Sequence, residues 1–292
     1  MDSYTSGQGH SPENVVLVDN FTGTAAEKIQ AAIDFAANNN KKTVLASDHD
    51  YYITSTIIVR KGVLLQGGQQ TSYTIGANLR GFEIQQDASL VGASINVDPI
   101  AYNKEAVYLD GSQKFYNTWN RTILRDLVIL NWSGGHTGTG LKLFSGTPEA
   151  EISFVDFENI KIVGFDKGIH LQARKITSGR TWINANRFTN LSLDDCVDMI
   201  TIDSGVTVPN ECSGNSFSNL QIQPSSYTKN ILQVSGMYNR FDGMLWDISE
   251  IKHSNPIVTM TKNSSYNIVD IPSLPSNRYV NNGSPNNKLT SI

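Results

Sequence analysis

Two carboxylates occupy the same place in a repeated sequence pattern, and they are the first candidates for chemistry. Asp194 and Asp247 each follow the start of a repeat copy by six residues, and Gln223 is the equivalent residue of the copy between them. If the copies stack as neighbouring strands about 4.8 Å apart, the two acids are about 9.6 Å apart. This is near the upper end of the roughly 6.5–9.5 Å found between the acid and base of inverting glycosidases. We predict that Asp194 and Asp247 are an acid–base pair; two solvated acids on a polar face are the alternative.

A second group of candidates falls in two long segments that each follow an apolar strand. These segments run from Ala173 to Ala185 and from Asp203 to Gly214. Loops that leave the edge of a rigid scaffold often form binding grooves, cations pair with carboxylate or phosphate, and an indole offers a flat apolar face. The predicted catalytic residues here are Asp203 and Glu211, and the predicted substrate-binding residues are Arg174, Lys175, Arg180 and Trp182, joined by Gln223 and His170. Surface ion pairs or subunit contacts are the alternative.

The sequence gives little support for a metal or a histidine-based site. Asp194, Asp195 and Asp198 are close in sequence and carry oxygen ligands of the kind that calcium binds, but no loop of known ligand spacing surrounds them. Calcium is therefore a minor alternative, and we predict no required cofactor and no metal site. His136 and His170 have no adjacent serine or carboxylate in the sequence, which indicates surface residues rather than a catalytic pair.

The composition excludes some classes of function. The 292 residues carry a net charge of −4 with a pI near 5.7, and the Lys and Arg residues are scattered, which argues against nucleic-acid binding. The sequence lacks an apolar run of the roughly 18 residues that a membrane span needs, and its start is polar where a secretory signal would be apolar. We expect a soluble protein without membrane insertion. The two cysteines, Cys196 and Cys212, are expected to be unpaired packing residues.

The candidate residues depend on a degenerate repeat for their positions. Each copy reads as an aromatic or Leu residue, any residue, an Asn-like residue, an apolar residue, any residue and an apolar residue. The five copies are Leu124–Ile129, Phe157–Ile162, Phe188–Leu193, Phe217–Ile222 and Phe241–Trp246. Their starts are 24 to 33 residues apart. Self-similarity of this kind is typical of a solenoid, and an antiparallel β-sandwich is the alternative.

Each copy is followed by a second apolar strand at a nearly fixed distance. The first apolar residues of these strands are Leu141, Ile169, Ile200, Ile231 and Ile257, which lie 12 to 17 residues after the repeat starts. This offset predicts two strands in each turn of the solenoid. The Phe and Ile or Leu residues would then stack inside the coil, and the third repeat position would turn the backbone.

One amphipathic helix precedes the strands. Thr24 and Glu27 form a capping box, and Ile29, Ile33 and Phe35 line the apolar side. A single helix followed only by strands suits a plug that covers the first coil of a solenoid.

The segment from Thr24 to Gly68 carries a family resemblance. Residues 29–37 read IQAAIDFAA and residues 62–67 read GVLLQG, although the intervening turn at residues 48–51 keeps only its Tyr. The segment resembles the N-terminal part of pectate-lyase-like right-handed parallel β-helix proteins of the bacteriophage tail-spike and preneck-appendage type. The later coils extend the resemblance over roughly residues 20 to 270. It implies an all-β, right-handed parallel β-helix, a single-stranded solenoid with an N-terminal capping α-helix, assembled as a homotrimer.

The predicted organisation is one β-helix domain with polar ends. We place a polar N-terminal segment at 1–19, the β-helix at 20–272 with its capping helix near 24–38, and a polar C-terminal tail or linker at 273–292.

The resemblance implies a carbohydrate-polymer function without fixing the reaction. The leading hypothesis is a tail-spike-like depolymerase, a hydrolase or lyase that acts on a bacterial surface polysaccharide or teichoic acid. The alternatives are a non-catalytic receptor-binding spike or adhesin, and a free-standing polysaccharide lyase, epimerase or transglycosylase. The expected location is a virion tail, or a secreted or cell-surface position.

Overall fold

A computed structural model describes residues 14–116, 122–205 and 212–290 of the chain. These residues form two long sheets of parallel strands. The first sheet contains β1 (Val15–Leu17), β2 (Thr43–Leu45), β3 (Asp50–Ile53), β5 (Leu64–Gln66), β6 (Ser72–Ile75), β8 (Ser89–Val97), β10 (Ile123–Asn131), β13 (Asp156–Val163), β16 (Arg187–Asp194), β19 (Ser216–Gln223), β21 (Arg240–Leu245), β23 (Ile268–Asp270) and β25 (Lys288–Leu289). The second sheet contains β4 (Ile57–Val59), β7 (Phe82–Ile84), β9 (Glu105–Asp110), β11 (Thr139–Ser145), β12 (Ala150–Ser153), β14 (Lys167–Ala173), β15 (Thr181–Asn184), β17 (Asp198–Ser204), β18 (Cys212–Ser213), β20 (Asn230–Met237), β22 (Val258–Ser265) and β24 (Tyr279–Asn281).

The chain alternates between the two sheets as it winds along the solenoid. Helix α1 (Ala25–Asn38) lies near its start, and short 3-10 helices cover Val18–Asn20, Gly111–Gln113, Ile248–Glu250 and Ser276–Arg278. The fold is the predicted right-handed parallel β-helix with a helix at its N-terminal end.

The repeated aromatic residues stack inside the coil. Phe157, Phe188, Phe217 and Phe241 are successive partners across β13, β16, β19 and β21, and their ring centroids are 4.4, 4.3 and 4.9 Å apart. All four side chains are fully buried, and burial of such a side chain contributes about 1.5–3 kcal/mol. The predicted phasing of these coils is therefore confirmed.

The third repeat position bends strands β10, β13, β16 and β19 of the first sheet, as predicted. Asp126, Asn159, Asn190 and Asn219 have φ values between 53° and 57°, a conformation that Asn and Asp tolerate better than most residues. Their side chains form an exposed ladder, in which Asn219 donates to Asn190, Asn190 to Asn159, and Asn159 to Asp126.

A second, buried asparagine ladder lies two residues before the repeat starts. It consists of Asn186, Asn215, Asn239, Asn267 and Asn287. Each side-chain oxygen accepts from the backbone N–H and the side-chain amide of the preceding member at 2.9–3.1 Å. The ladder satisfies backbone groups at the turn that enters each strand of the first sheet, where burial without a partner would be costly.

The second sheet departs from the predicted alignment in two places. Ile200 pairs with Leu232 rather than Ile231, and Leu232 pairs with Val258 rather than Ile257, so the predicted ladder is wrong by one residue in its last two coils. The physical reason is that Ile231 and Ile257 are also buried, so hydrophobicity alone does not distinguish the two registers. In addition, β12, β15 and β18 add a short third strand to three coils.

Helix α1 packs against the first strands as predicted. Thr24 and Glu27 form the capping box, and Ile29 and Ile33 are fully buried. The prediction for Phe35 is wrong: its side chain is exposed and packs edge-to-face on Phe21.

Strand pairing extends beyond the predicted limits of the β-helix. β1, ahead of residue 20, pairs with β2. β24 and β25, which lie within residues 273–292, pair with β22 and β23 respectively. In the described part of the chain, no helix combines the length and apolarity required to cross a bilayer.

Candidate functional site

The outer surface of the first sheet contains a groove that we call the Asp194 groove. Its cavity volume is about 700 Å³. The groove is lined by Val128, Leu130, Trp132, Lys161, Val163, Asp194, Asp195, Gln223, Pro224, Ser225, Ser226 and Glu250. Strands β10, β13, β16 and β19 provide its floor, and the indole of Trp132 is 78% exposed at its side. Carboxylates, an amide, an ammonium group and an exposed indole together suit a sugar chain.

The Asp194 carboxyl has a raised pKa. Partial burial raises its pKa above the ordinary value, and the neighbouring Asp195 carboxylate adds to this. The Lys161 ammonium, 3.9 Å away, opposes the shift. A carboxyl with a raised pKa in a groove is suited to general acid catalysis.

Asp195 is held by a histidine from a distant part of the chain. His136 Nε2 lies 2.9 Å from Asp195 Oδ2, and the His136 ring stacks on Tyr227 with 3.8 Å between centroids. His136 and Trp132 share the loop between β10 and β11, so this bond ties the loop to later coils. A pocket of about 190 Å³ adjoins the groove and is lined by Asn131, Trp132, Gly134, His136, Val163 and Asp195.

Asp247 does not continue the predicted column. The register shifts by one residue after Phe217, so that Ile222 pairs with Leu245, and the backbone N–H of Trp246 donates to Ile222. The fifth copy has Gly243, with φ 158°, where the others have Asn or Asp, and the bend differs accordingly. Asp247 lies after the strand and accepts a hydrogen bond from Gln223 Nε2 at 3.1 Å. The predicted column is thus correct from Asp194 to Gln223 and wrong at Asp247.

The Asp194 groove continues along the solenoid towards the N-terminal coils. A recess of about 500 Å³ shares Val128 with the groove. The recess is lined by Gln66, Gly67, Gly68, Gln69, Val91, Gly92, Ala93, Ser94, Arg125, Asp126 and Val128. Gly67 and Gly92 have no Cβ and approach each other closely, since a Cβ at Gly92 would lie 2.8 Å from Gly67 O. The two concavities together span strands from β5 to β19.

Several residues of the second predicted cluster lie on the other sheet. His170 on β14 and Asp203 on β17 are joined by a 2.8 Å hydrogen bond, which lowers the pKa of Asp203. The expectation that His136 and His170 are surface residues without carboxylate partners is therefore wrong. Arg174 follows β14, with its guanidinium carbon 5.0 Å from the Phe144 ring centroid. Sequence spacing did not reveal these pairs because each joins residues at least 33 positions apart.

The remaining members of that cluster do not converge on Asp203. Trp182 on β15 hydrogen-bonds to Glu151, and the backbone N–H of Arg180 donates to Glu149. Lys175 is exposed. Glu211 lies outside the described residues.

The three acids considered for calcium separate in space. Asp194 faces Lys161, Asp195 bonds to His136, and Asp198 accepts from Asn230. Within the described ranges, no three His, Cys, Asp or Glu side chains form a group that would hold a metal ion.

Sequence reasoning missed part of the groove. Trp132, Lys161 and Glu250 were not predicted, although Lys161 lies at an outward position of its repeat copy. Trp132 and Glu250 lie outside the repeat, in a loop and a 3-10 helix, so no periodic signal marks them.

Comparison with solved structures gives distant similarities, of which a surface adhesin and a tailspike are two. No protein-family model matches the sequence, and no curated protein matches it. A surface adhesin of Streptococcus pneumoniae, PfbA, is 11% identical, with 95% of this chain and 83% of that chain covered and a TM-score of 0.40. The Dettilon tailspike protein is 11% identical, with 94% and 67% covered and a TM-score of 0.30. Neither similarity assigns an activity to this chain, and the specific pectate-lyase-like resemblance stays a prediction.

Proposed function

We propose that this protein binds a carbohydrate polymer along the Asp194 groove and cleaves it by acid–base hydrolysis. One observation carries the proposal: an open groove of about 700 Å³ is lined both by Asp194, whose carboxyl has a raised pKa, and by the exposed indole of Trp132. The recess that shares Val128 lengthens the groove along the axis, as a linear polymer requires. The proposed polymer is a bacterial surface glycan, a capsule or teichoic acid. In this proposal the protein is part of a virion tail or lies at a cell surface.

In the proposed reaction, two neighbouring carboxyl groups have different roles. Protonated Asp194 donates its proton to the glycosidic oxygen as the bond from that oxygen to the anomeric carbon breaks. The Asp195 carboxylate, oriented by His136, removes a proton from the water whose oxygen bonds to the anomeric carbon. The products are a new reducing end and a released hydroxyl, and Trp132 provides the apolar face on which a sugar ring stacks.

A product assay tests this function. The purified protein is incubated with capsular polysaccharides and teichoic acids, and chain length and new reducing ends are measured. We expect shorter chains with one new reducing end for each glycosidic bond that is cleaved. Unsaturated ends would indicate elimination instead, and binding without any product would favour the receptor-binding spike. The homotrimer stays a prediction, which a measurement of the molar mass by sedimentation equilibrium tests.

Replacing Trp132 by alanine should weaken polymer binding about two- to ten-fold, since an aromatic contact contributes about 0.5–1.5 kcal/mol. The indole is exposed and lines the groove, so the fold should be unaffected. Tyr116→Ala is the matched control, because it removes an exposed aromatic side chain outside the groove. Titration calorimetry with the identified polymer measures both variants. Equal binding by Trp132→Ala and wild-type protein would remove the indole from the site.

A further inference from the structure

The outer face of the second sheet carries a line of cations and aromatic rings that the proposed reaction does not use. We call it the Phe144 strip, defined by Tyr108, Lys142, Phe144, His170, Arg174 and Asp203. Tyr108, Lys142 and His170 are successive partners on β9, β11 and β14. Phe144 lies two residues after Lys142 on the same face of β11. The strip is on a different sheet from the Asp194 groove.

Most charges around the strip have a partner within the chain. Arg80 pairs with Glu105 at 2.9 Å and Glu83 at 3.6 Å, and its guanidinium carbon lies 3.7 Å over the Tyr108 ring. The Tyr108 hydroxyl donates to Asp110. Asp203 bonds to His170.

Two cations of the strip, Lys142 and Arg174, form no salt bridge with a carboxylate of the described residues. Both lie against the same ring: Lys142 Nζ is 5.8 Å and the Arg174 guanidinium carbon 5.0 Å from the Phe144 centroid. Burial lowers the pKa of Lys142, and repulsion by Arg174 and Arg80 lowers it further, against the opposing effects of the Glu105 and Asp203 carboxylates. Two like charges near one ring repel each other, and a bound anion would reduce that cost.

The Phe144 ring near the two cations is packed against neighbouring groups. Phe144 stacks on Tyr108 with centroids 6.5 Å apart, and it folds over Gly146, where a Cβ would lie 2.4 Å from the ring. Next along the strip, Thr201 is the register partner of His170, and its buried hydroxyl has no hydrogen-bond partner among the described residues. The strip therefore combines an apolar platform, two cations that form no salt bridge among the described residues, and a buried hydroxyl without a hydrogen-bond partner.

We propose that the Phe144 strip binds the acidic group of an anionic carbohydrate chain, a carboxylate or a phosphate, at a site separate from the Asp194 groove. Lys142 and Arg174 contact the anion, and the Phe144 ring packs against the sugar that carries it. This goes beyond the proposed cleavage and does not depend on it. A polymer that occupies both sheets would bind more tightly than either site alone allows.

Calorimetric titration with acidic oligosaccharides tests the strip. The probes are oligogalacturonate for the carboxylate, glycerol-phosphate teichoic acid oligomers for the phosphate, and neutral dextran oligomers as the reference. The wild-type protein should bind at least one acidic probe, more weakly at high salt, and should bind dextran far less. The probe that binds identifies which acidic group the strip accepts. Failure of both acidic probes, or equal binding of dextran, would overturn the proposal.

Charge-removing variants assign the binding to the strip. The double variant Lys142→Met with Arg174→Gln should bind the acidic probe about ten-fold or more weakly, because charge-assisted hydrogen bonds are lost. The control Lys262→Gln with Lys288→Gln removes two exposed charges elsewhere and should bind within about two-fold of the wild type. If the double variant unfolds, the single variant Arg174→Gln is titrated instead, because Arg174 is exposed and its replacement should leave the fold intact. Unchanged binding by the strip variants contradicts the assignment.

A last comparison separates this site from the groove. The acidic probe should bind Trp132→Ala and Asp194→Asn proteins as it binds the wild type. If the groove variants alone weaken the binding, the anion site belongs to the groove, and the proposed function stands without the strip. If cleavage fails for every polymer while the strip variants still lose the probe, the strip stands without the proposed reaction.

Discussion

Replacing Asn215 by alanine lowers the free energy of unfolding by about 3–5 kcal/mol, because buried polar groups lose their partners at a cost of about 1–3 kcal/mol each. Asn215 Oδ1 accepts from the backbone N–H and the side-chain amide of Asn186, and Asn215 Nδ2 donates to Ile183 O. All these groups are buried, and alanine replaces none of the bonds. Guanidinium chloride denaturation followed by circular dichroism measures the change.

The exposed ladder provides the matched control for Asn215→Ala. Asn190→Gly removes one member of that ladder while glycine keeps the positive φ of 56° without strain. Water replaces the lost side-chain bonds there, so we expect a loss of less than about 1 kcal/mol. Equal losses in the two variants would show that the buried ladder does not stabilise the turns as argued above.

Replacing Asp194 by asparagine should reduce polymer cleavage by about 10²- to 10⁴-fold, because asparagine cannot donate the proton that the leaving oxygen needs. Polymer binding should change little, since the shape of the groove and its hydrogen-bonding capacity are kept. Initial rates of reducing-end formation measure the effect. Asp247→Asn is the control, because Asp247 lies outside the groove lining and its asparagine oxygen can still accept from Gln223. Large losses in both variants would restore the acid–base pair predicted from the sequence, and full activity in Asp194→Asn would contradict the assignment of Asp194 as the general acid.

The pH profile provides a second test of Asp194. A general acid must be protonated, so cleavage should fall as pH rises through the pKa of Asp194, which burial places above the ordinary value for Asp. Lys161 opposes that shift, and Lys161→Met should therefore move the alkaline limb of the profile to higher pH. A limb that stays in place, or moves to lower pH, would show that another group controls it.

The repeat made most of the fold predictable. Phe157, Phe188, Phe217 and Phe241 were aligned by pattern alone, and the structure stacks their rings. The coils that start at Leu90 and Val269 lie in the same register column but were missed. They lack both the aromatic first residue and the Asn-like third residue, because Gly92 and Ile271 stand at the third position. Buried Asn186 and its partners were also missed, since Asn is common in turns and the sequence alone does not show burial.

The candidate site was less predictable than the fold. Asp194 and Gln223 were placed correctly because strand pairing is regular there, but one bulge was enough to displace Asp247. His136 reaches Asp195 through a loop that crosses coils, and loop paths follow no repeat. The residues at the sides of the groove, such as Trp132 and Glu250, could therefore be identified only from the structure.

Polymer-dependent protection of the groove tests the central claim most directly. Hydrogen exchange and covalent footprinting are compared with and without a bound surface polymer, on the Asp194→Asn protein so that the polymer stays intact. We predict protection at residues 128–134, 161–163, 194–195 and 223–226. Protection confined to other faces of the solenoid, with these four segments unchanged, would contradict the account.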